Sequence, residues 1–338
     1  MAIVGHFATL AAAETLTQSK LLSGLIRETI EDGHLASVLP GMQISGKDVT
    51  YRRQGTPLSG AFFDIHEQIP WSAGNSPTSV TVALKRILRQ DILDDFIALN
   101  YNSINDYKGI MLSEMRFGVM RTAEDKFIYG NATTNAKEFD GLHALVPSGN
   151  ALAQGSSATG AALSLAKLRQ LVDTVRPKPD VLIVNRDWAR NLDDVLESGV
   201  VHDGGSGNTF VRLAGGSAQL SRGSLGDQQT QFRGIPIIKS DFVTKTETIA
   251  DSTFSAKTGG ATTSIFAARL GAIEEGGLEM ILGSGSGTGP QLFSMREFDA
   301  LEDYDGGGIR LRAYLALALG STKSLARIDG ITDVPIVR

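Results

Sequence analysis

Chemistry in this chain could come from four kinds of residue: a glycine-rich loop, five histidines, paired carboxylates and a set of arginines. The loop GSGSGTGP (283–290) has the glycine density of a phosphate cradle, in which backbone N–H groups wrap an anion. It lacks the G-x-x-x-x-G-K-[ST] spacing, and Lys323 of GSTKS has no glycine at the required upstream place. No strand–GxGxxG–helix unit is present either, so the run reads as a flexible connector. The histidines, at 6, 34, 66, 143 and 202, are scattered; none lies four residues from another, as a zinc-binding H-E-x-x-H helix requires. They read as surface or loop histidines. There is no G-x-S-x-G nucleophile elbow. Asp94-Asp95 and Asp193-Asp194 read as solvated helix faces, and Glu302-Asp303-x-Asp305 lacks the spacing and closing glutamate of a calcium loop. Arg86, Arg89, Arg116, Arg121 and Lys126 are interleaved with acids, which predicts a weak basic face without the aromatic–basic pattern of single-strand binders. No catalytic residue, cofactor site or metal ligand is nominated.

Composition narrows the classes further. With 42% hydrophobic and 20% charged residues, the 338-residue chain has ample material for one or two cores. A net charge of −5 gives no global field for nucleic acid. The absence of cysteine excludes disulfides, zinc–thiolate sites, iron–sulfur clusters and thiol catalysis. The start, MAIVGHFATLAAAETL, lacks a positively charged leader region, and His6 and Thr9 break its apolar run, so it reads as an N-terminal arm. No run of 18 apolar residues exists to span a membrane.

The elements that would position any site centre on one long helix. Ile104, Tyr107, Met111 and Met115 follow helical spacing, and Phe117, Met120, Glu124, Phe127 and Ile128 continue on a shifted stripe. This predicts a helix over 100–130, roughly 45 Å long, stopped by a left-handed cap at Gly130-Asn131. Ahead of it, RILRQDILDDFIA (86–98) places Leu88, Ile92 and Phe96 four apart, leading into that helix. Between 44 and 90, KDVTYRR and SVTVAL alternate around Gly-, Ser- and Pro-rich turns, with GAFFDIHEQIPW as another extended piece: a hairpin. Strands of about twelve residues would carry it roughly 40 Å. Its faces are too thinly apolar for a sheet centre. Phe62, Phe63, Ile65 and Trp71 find no apolar partner in their own strands, so packing on another subunit is expected of them. An α/β block follows: Ser164 caps a helix stopped by Pro177 and Pro179, VLIV (181–184) is a buried strand, and Asn185 caps a helix bearing Trp188, Leu192, Val195 and Leu196. Residues 200–230 read as an exposed loop. RGIPIIKS, TSIFAARL, GLEMIL and IRLRAYLALALG read as strands.

The order of these parts resembles that of tailed-phage major capsid proteins with the Hong Kong 97-type fold. The long helix running through FIYGN to EFDGL is similar to their spine helix and its exit. Residues 44–85 are similar to their extended E-loop, and RGIPIIKSDFV and REFDALEDYDGGGIRLRAYLALALG to later strands of the fold. The Gly-Asp-Phe that often follows the late axial strand is replaced by AARLGAIEEGG, and no long charged scaffolding extension precedes the arm. The resemblance implies an α+β fold divided into an N-terminal arm (1–43), an E-loop hairpin (44–90), a peripheral domain (91–150 with 301–338) and an axial domain (151–300). It implies a structural protein, not an enzyme, that assembles into pentamers and hexamers of an icosahedral head. That head would be built in the host cytoplasm and would enclose double-stranded DNA without sequence-specific binding. Scaffolding, portal and decoration proteins are the partners it implies. Encapsulin nanocompartments share the fold and are the nearest alternative; an α/β enzyme with a degenerate site is the more distant one.

Overall fold

The computed structural model describes residues 31, 33–55, 59–69, 71, 77–96, 107–154, 160–198, 200–202, 210–212, 218–222, 228–247, 262–283, 293–298, 302 and 305–337. Its strands are β1 (Gly41–Ile44), β2 (Asp48–Arg53), β3 (Thr78–Ala83), β4 (Lys85–Asp94), β5 (Ala151–Ala153), β6 (Val181–Asn185), β7 (Val200–His202), β8 (Phe210–Arg212), β9 (Ala218–Arg222), β10 (Gln228–Phe232), β11 (Ile235–Ser240), β12 (Thr262–Ala268), β13 (Leu278–Gly283), β14 (Ser294–Phe298), β15 (Gly306–Leu319) and β16 (Leu325–Thr332). The α-helices are α1 (Tyr107–Tyr129), α2 (Leu142–Leu145), α3 (Leu165–Thr174) and α4 (Ala189–Ser198).

Helix α1 is the expected brace; the part predicted over 100–106 lies outside the described residues. Met111, Met115, Val119, Ala123 and Phe127 recur every four residues and are all buried, whereas Phe117 and Met120 are only half-buried. Glu124 and Ile128 of the continued stripe are buried as well. Each large apolar side chain that the helix buries contributes about 1.5–3 kcal/mol. The helix ends at Gly130, which is not left-handed, contrary to expectation. The glycine is needed for space: a Cβ there would sit 2.3 Å from the Phe139 carbonyl oxygen and 2.5 Å from that of Lys126. Gly141 folds back onto the same corner and donates its N–H to the Gly130 carbonyl at 2.9 Å, while Asp140 accepts from the Ala132 N–H at 2.8 Å.

Two sheets flank this helix. In the first, the long β15 pairs with β4 along one edge and with β14 and then β13 along the other; β1 joins β13 in parallel. β4 corrects the expectation of a helical lead-in, because Lys85–Asp94 pairs residue for residue with β15. Spacing of four fits both structures, since residues four apart share a face in a strand as well. The second sheet runs β5-β16-β12-β6-β11-β10-β9. β9 and β10 lie in the stretch expected to be loop, and β7 pairs with β8 there. AQLSR and QQTQF lack alternating apolar residues and take their place at the sheet's end through backbone pairing. The α/β block forms as read: the Ser164 hydroxyl accepts from the Ala166 N–H, and Asn185 accepts from the Trp188 N–H at 2.9 Å.

Each face of the second sheet carries a core. Leu182, Val184, Ile265, Ala267 and Ile328 point to α3 and α4. Val181, Ile183, Phe266 and Ala268 point the other way, into the larger core shared with α1 and the first sheet. Sheet membership cuts across the division into 91–150 with 301–338 and 151–300. β13 and β14 lie in the first sheet, and β16 lies in the second with β5, β6 and β12.

Candidate assembly surface

β2 and β3 form the hairpin in the expected alternating register, Val49 opposite Val82 and Tyr51 opposite Val80. Each strand has six residues, half the length anticipated. Its base is fastened to the end of β15. Tyr51 donates its hydroxyl to the Leu319 carbonyl at 2.6 Å, and Arg53 donates to the Gly320 carbonyl at 2.9 Å and to that of Leu319. Beyond the strands the chain is not a further extended strand as expected, but a tip organised by a turn. Asp64 and Glu67 are bonded reciprocally: the Glu67 N–H donates to the Asp64 carbonyl and the Asp64 N–H to the Glu67 carboxylate. His66 takes a positive φ of 66° at that turn. The tip turns its apolar side chains outward. Phe62 is 104% exposed, Ile65 85% and Trp71 103%; Phe63 is 42% exposed. Ile69, 66% exposed, belongs with them and was not picked out from sequence. Of the four nominated residues, Phe62, Ile65 and Trp71 are exposed and Phe63 is partly covered, and none belongs to the buried core of the described residues.

A second fastening holds the base of the arm. Glu124 is fully buried in the apolar stripe of α1, and its carboxylate accepts from the backbone N–H groups of Leu35 and Ala36 at 2.9 and 3.0 Å. These N–H groups open the short 3-10 turn Leu35–Ser37, whose donors would otherwise be orphaned. Arg121, one turn earlier, pairs with Glu31 at 2.8 Å. Burial pushes the Glu124 carboxyl above its ordinary range, against the pull of the two N–H donors and of His34, whose Nδ1 is 3.6 Å away. A folded-state pKa raised above the unfolded value means that this group's stabilisation is full below the unfolded pKa and is lost as pH rises through the folded one. Glu124→Gln keeps one acceptor and sets an amide N–H₂ against a buried N–H, so it should cost about 1–3 kcal/mol at neutral pH. Urea unfolding at stepped pH should show the wild-type advantage widening as pH falls from neutral; a narrowing gap would exclude the buried carboxylate as its source.

The third cluster joins the end of α1 and the short helix α2 to the second sheet. Arg327 of β16, Glu247 and His143 of α2 are all buried. Arg327 Nη1 donates to His143 Nδ1 at 2.8 Å and to the His143 carbonyl at 3.1 Å. A guanidinium only donates, so Nδ1 must be the acceptor, and Nε2–H then faces Glu247 at 3.3 Å. Tyr129 donates to Glu247 at 2.8 Å, and Ser264 donates to its other oxygen. Burial, with Glu247 beside it, keeps the Tyr129 phenol well above its usual pKa and so protonated as a donor. His143 is thus not the surface or loop histidine that its sequence setting suggested. Its polar partners come from β16 and the segment after β11, far away in the chain.

Between β4 and α1 runs a groove of about 540 Å³ lined by Ile87, Arg89, Asp91, Met111, Glu114 and Val119. Among the described residues no group of three or more His, Asp and Glu side chains is arranged to hold a metal ion, and no helix is long and apolar enough to cross a membrane.

No family model matches the chain, and no curated protein matches its sequence. Solved structures do match its fold. The SrpI encapsulin of Synechococcus elongatus superimposes with a TM-score of 0.65 at 16% identity, over 100% of this chain and 99% of that one. The capsid of a native GTA particle gives 0.61 at 10% identity, over 96% and 100%. The Microbacterium phage Oxtober96 structure gives 0.55 at 14% identity, over 95% and 98%. The chain therefore has the Hong Kong 97-type capsid fold, an α+β arrangement shared by phage capsids and an encapsulin, over nearly its whole length.

Proposed function

We propose that this chain is a structural shell protein, the major capsid subunit of a tailed-phage head. In this role it closes from pentamers and hexamers into an icosahedral particle around double-stranded DNA. The observation that carries the proposal is the hairpin tip, where Phe62, Ile65 and Trp71 stand bare at the end of a firmly anchored hairpin. Exposed apolar clusters of this kind mark contact surfaces, and a neighbouring copy of the same chain supplies the cover. Residues 1–43 serve as the arm, 44–90 as the E-loop, 91–150 with 301–338 as the peripheral domain and 151–300 as the axial domain. The test is electron microscopy and sedimentation of the purified full-length chain across salt and protein concentration. Closed particles of megadalton mass are expected; folded monomers under every condition would refute the proposal.

One observation favours a second role, that of an encapsulin-like compartment shell: the encapsulin superposition covers 100% of this chain. The two differ in what the particle holds. Nuclease-protected double-stranded DNA in particles from the native source supports the phage head, and its absence from filled particles supports the compartment.

A further inference from the structure

The open face of the first sheet gathers arginines that the sequence keeps apart. In β4, β14 and β15 the even-numbered residues share a face. The odd-numbered Ile309, Leu311 and Ala313 are buried on the other side, in the core with α1. On the even face the register sets Arg296 opposite Arg310, Ser294 opposite Arg312, and Arg86 opposite Tyr314. Arg86, Arg296, Arg310 and Arg312 thus occupy three adjacent strands about 4.8 Å apart, with about 6.8 Å between Arg310 and Arg312 along β15. The guanidiniums of Arg296 and Arg310 each lie 5.0 Å from the centre of the Phe298 ring. Arg310 donates to Gln90 at 3.1 Å, and the buried Nε of Arg312 has no hydrogen-bond partner. Among the described residues none of the four has a carboxylate within ion-pair distance, while Arg89, on the opposite face, has Asp91 at 3.9 Å.

Like charges directly opposite each other across a ladder destabilise a sheet, so the Arg296–Arg310 juxtaposition calls for an anion from outside the chain. Planar guanidinium forks match phosphate oxygens two at a time. Gln90 and, at the far end of β4, Asp94 are the amide and the carboxylate on this face; the four arginines outnumber them, so phosphate contact dominates over reading of base edges. We infer that this face binds the phosphate backbone of double-stranded DNA, independently of sequence. Four cationic contacts on a chain of net charge −5 make a weak, salt-sensitive surface that holds duplex without trapping it. The choice of DNA as occupant rests on the phage-head proposal; the unpaired arginine cluster does not.

The test uses unassembled full-length chain and a short labelled duplex of arbitrary sequence, with anisotropy read between about 50 and about 200 mM salt. Four phosphate contacts give a slope of log K against log salt of about −3.6, and Arg296→Gln with Arg310→Gln should reduce it to about −1.8. Arg296→Lys with Arg310→Lys should keep most of the slope, and Arg52→Gln, on the distant hairpin, should leave it unchanged. Relief of the like-charge pair means the glutamine variant should melt no lower than wild type; Arg86→Gln with Arg312→Gln is the second pair should it fail to fold. An unchanged slope in the glutamine variant overturns the inference, as does absence of binding at the lowest salt. Loss of particles by sedimentation with duplex binding intact also overturns it, assigning the face to a protein contact. Particle formation is scored separately, so a chain that assembles but ignores duplex refutes this inference and leaves the shell role standing.

Discussion

Replacing Trp71 by alanine is expected to stop particle formation while leaving the unassembled subunit folded and nearly as stable as before. Trp71 is 103% exposed and has no packing to lose within its own chain. Exposed substitutions usually change stability by no more than about 0.5 kcal/mol, against about 3–5 kcal/mol for a fully buried aromatic residue. In a shell the same side chain is covered by a neighbour. An aromatic anchor at such a contact is worth about 2 kcal/mol or more, and the loss recurs at every equivalent interface of a symmetric particle. Phe62→Ala should behave alike. Phe63, 42% exposed, should show both effects in smaller measure. The measurement is paired: thermal melting of the unassembled chain, and particle yield by sedimentation. A large fall in melting temperature with normal yield would place the tip in the subunit's own core and remove its assembly role.

What could be read from the sequence was what is local. The stripe of α1, the Ser164 and Asn185 caps and the run VLIV each depend on neighbours within a turn or two, and each stands where its pattern indicated. Errors arose where local pattern is degenerate. Leu88 and Ile92 share a face in helix and strand alike, and only pairing with β15 decides for strand. AQLSR and QQTQF carry no apolar alternation, so their sheet membership lies in backbone hydrogen bonds. Gly130 was read as a φ requirement, whereas Phe139, brought back by the chain reversal, makes it a requirement for space. The candidate tip could be read because a cluster of apolar residues without an apolar partner is itself a sequence signal. The arginine face could not: Arg86 and Arg296 meet only through β15, and counted along the chain each has acids nearby. Glu124 was placed correctly on the buried stripe, but its purpose lies in Leu35 and Ala36, nearly ninety residues earlier.

Replacing Arg327 by methionine should be the most damaging single change within the fold. The guanidinium is 2% exposed and serves three groups: His143 Nδ1, the His143 carbonyl and, at 3.6 Å, the Asp329 carboxylate. Methionine fills similar volume and supplies no donor. His143 Nδ1 and the Asp329 carboxylate would lose this buried guanidinium, and Glu247 the cation that lies beyond His143; removing one partner of such a set costs about 3–5 kcal/mol. The damage should reach beyond β16. His143 is stacked on Tyr129 at the end of α1 with ring centres 5.1 Å apart, and its tautomer is fixed by Arg327 from one side and Glu247 from the other. Loss of the arginine therefore loosens the joint between the long helix and the second sheet. Arg327→Lys keeps a charge but not the fork, and should recover only part of the loss. Glu247→Gln added to Arg327→Met should recover more, because it removes the stranded charge and keeps an acceptor for Tyr129. Urea unfolding of the unassembled chain, run on the two single variants and the double, gives the coupling directly. Additive costs would show that Arg327 and Glu247 are not energetically joined through His143, and a loss below about 1 kcal/mol for Arg327→Met would show that water reaches the site and screens it.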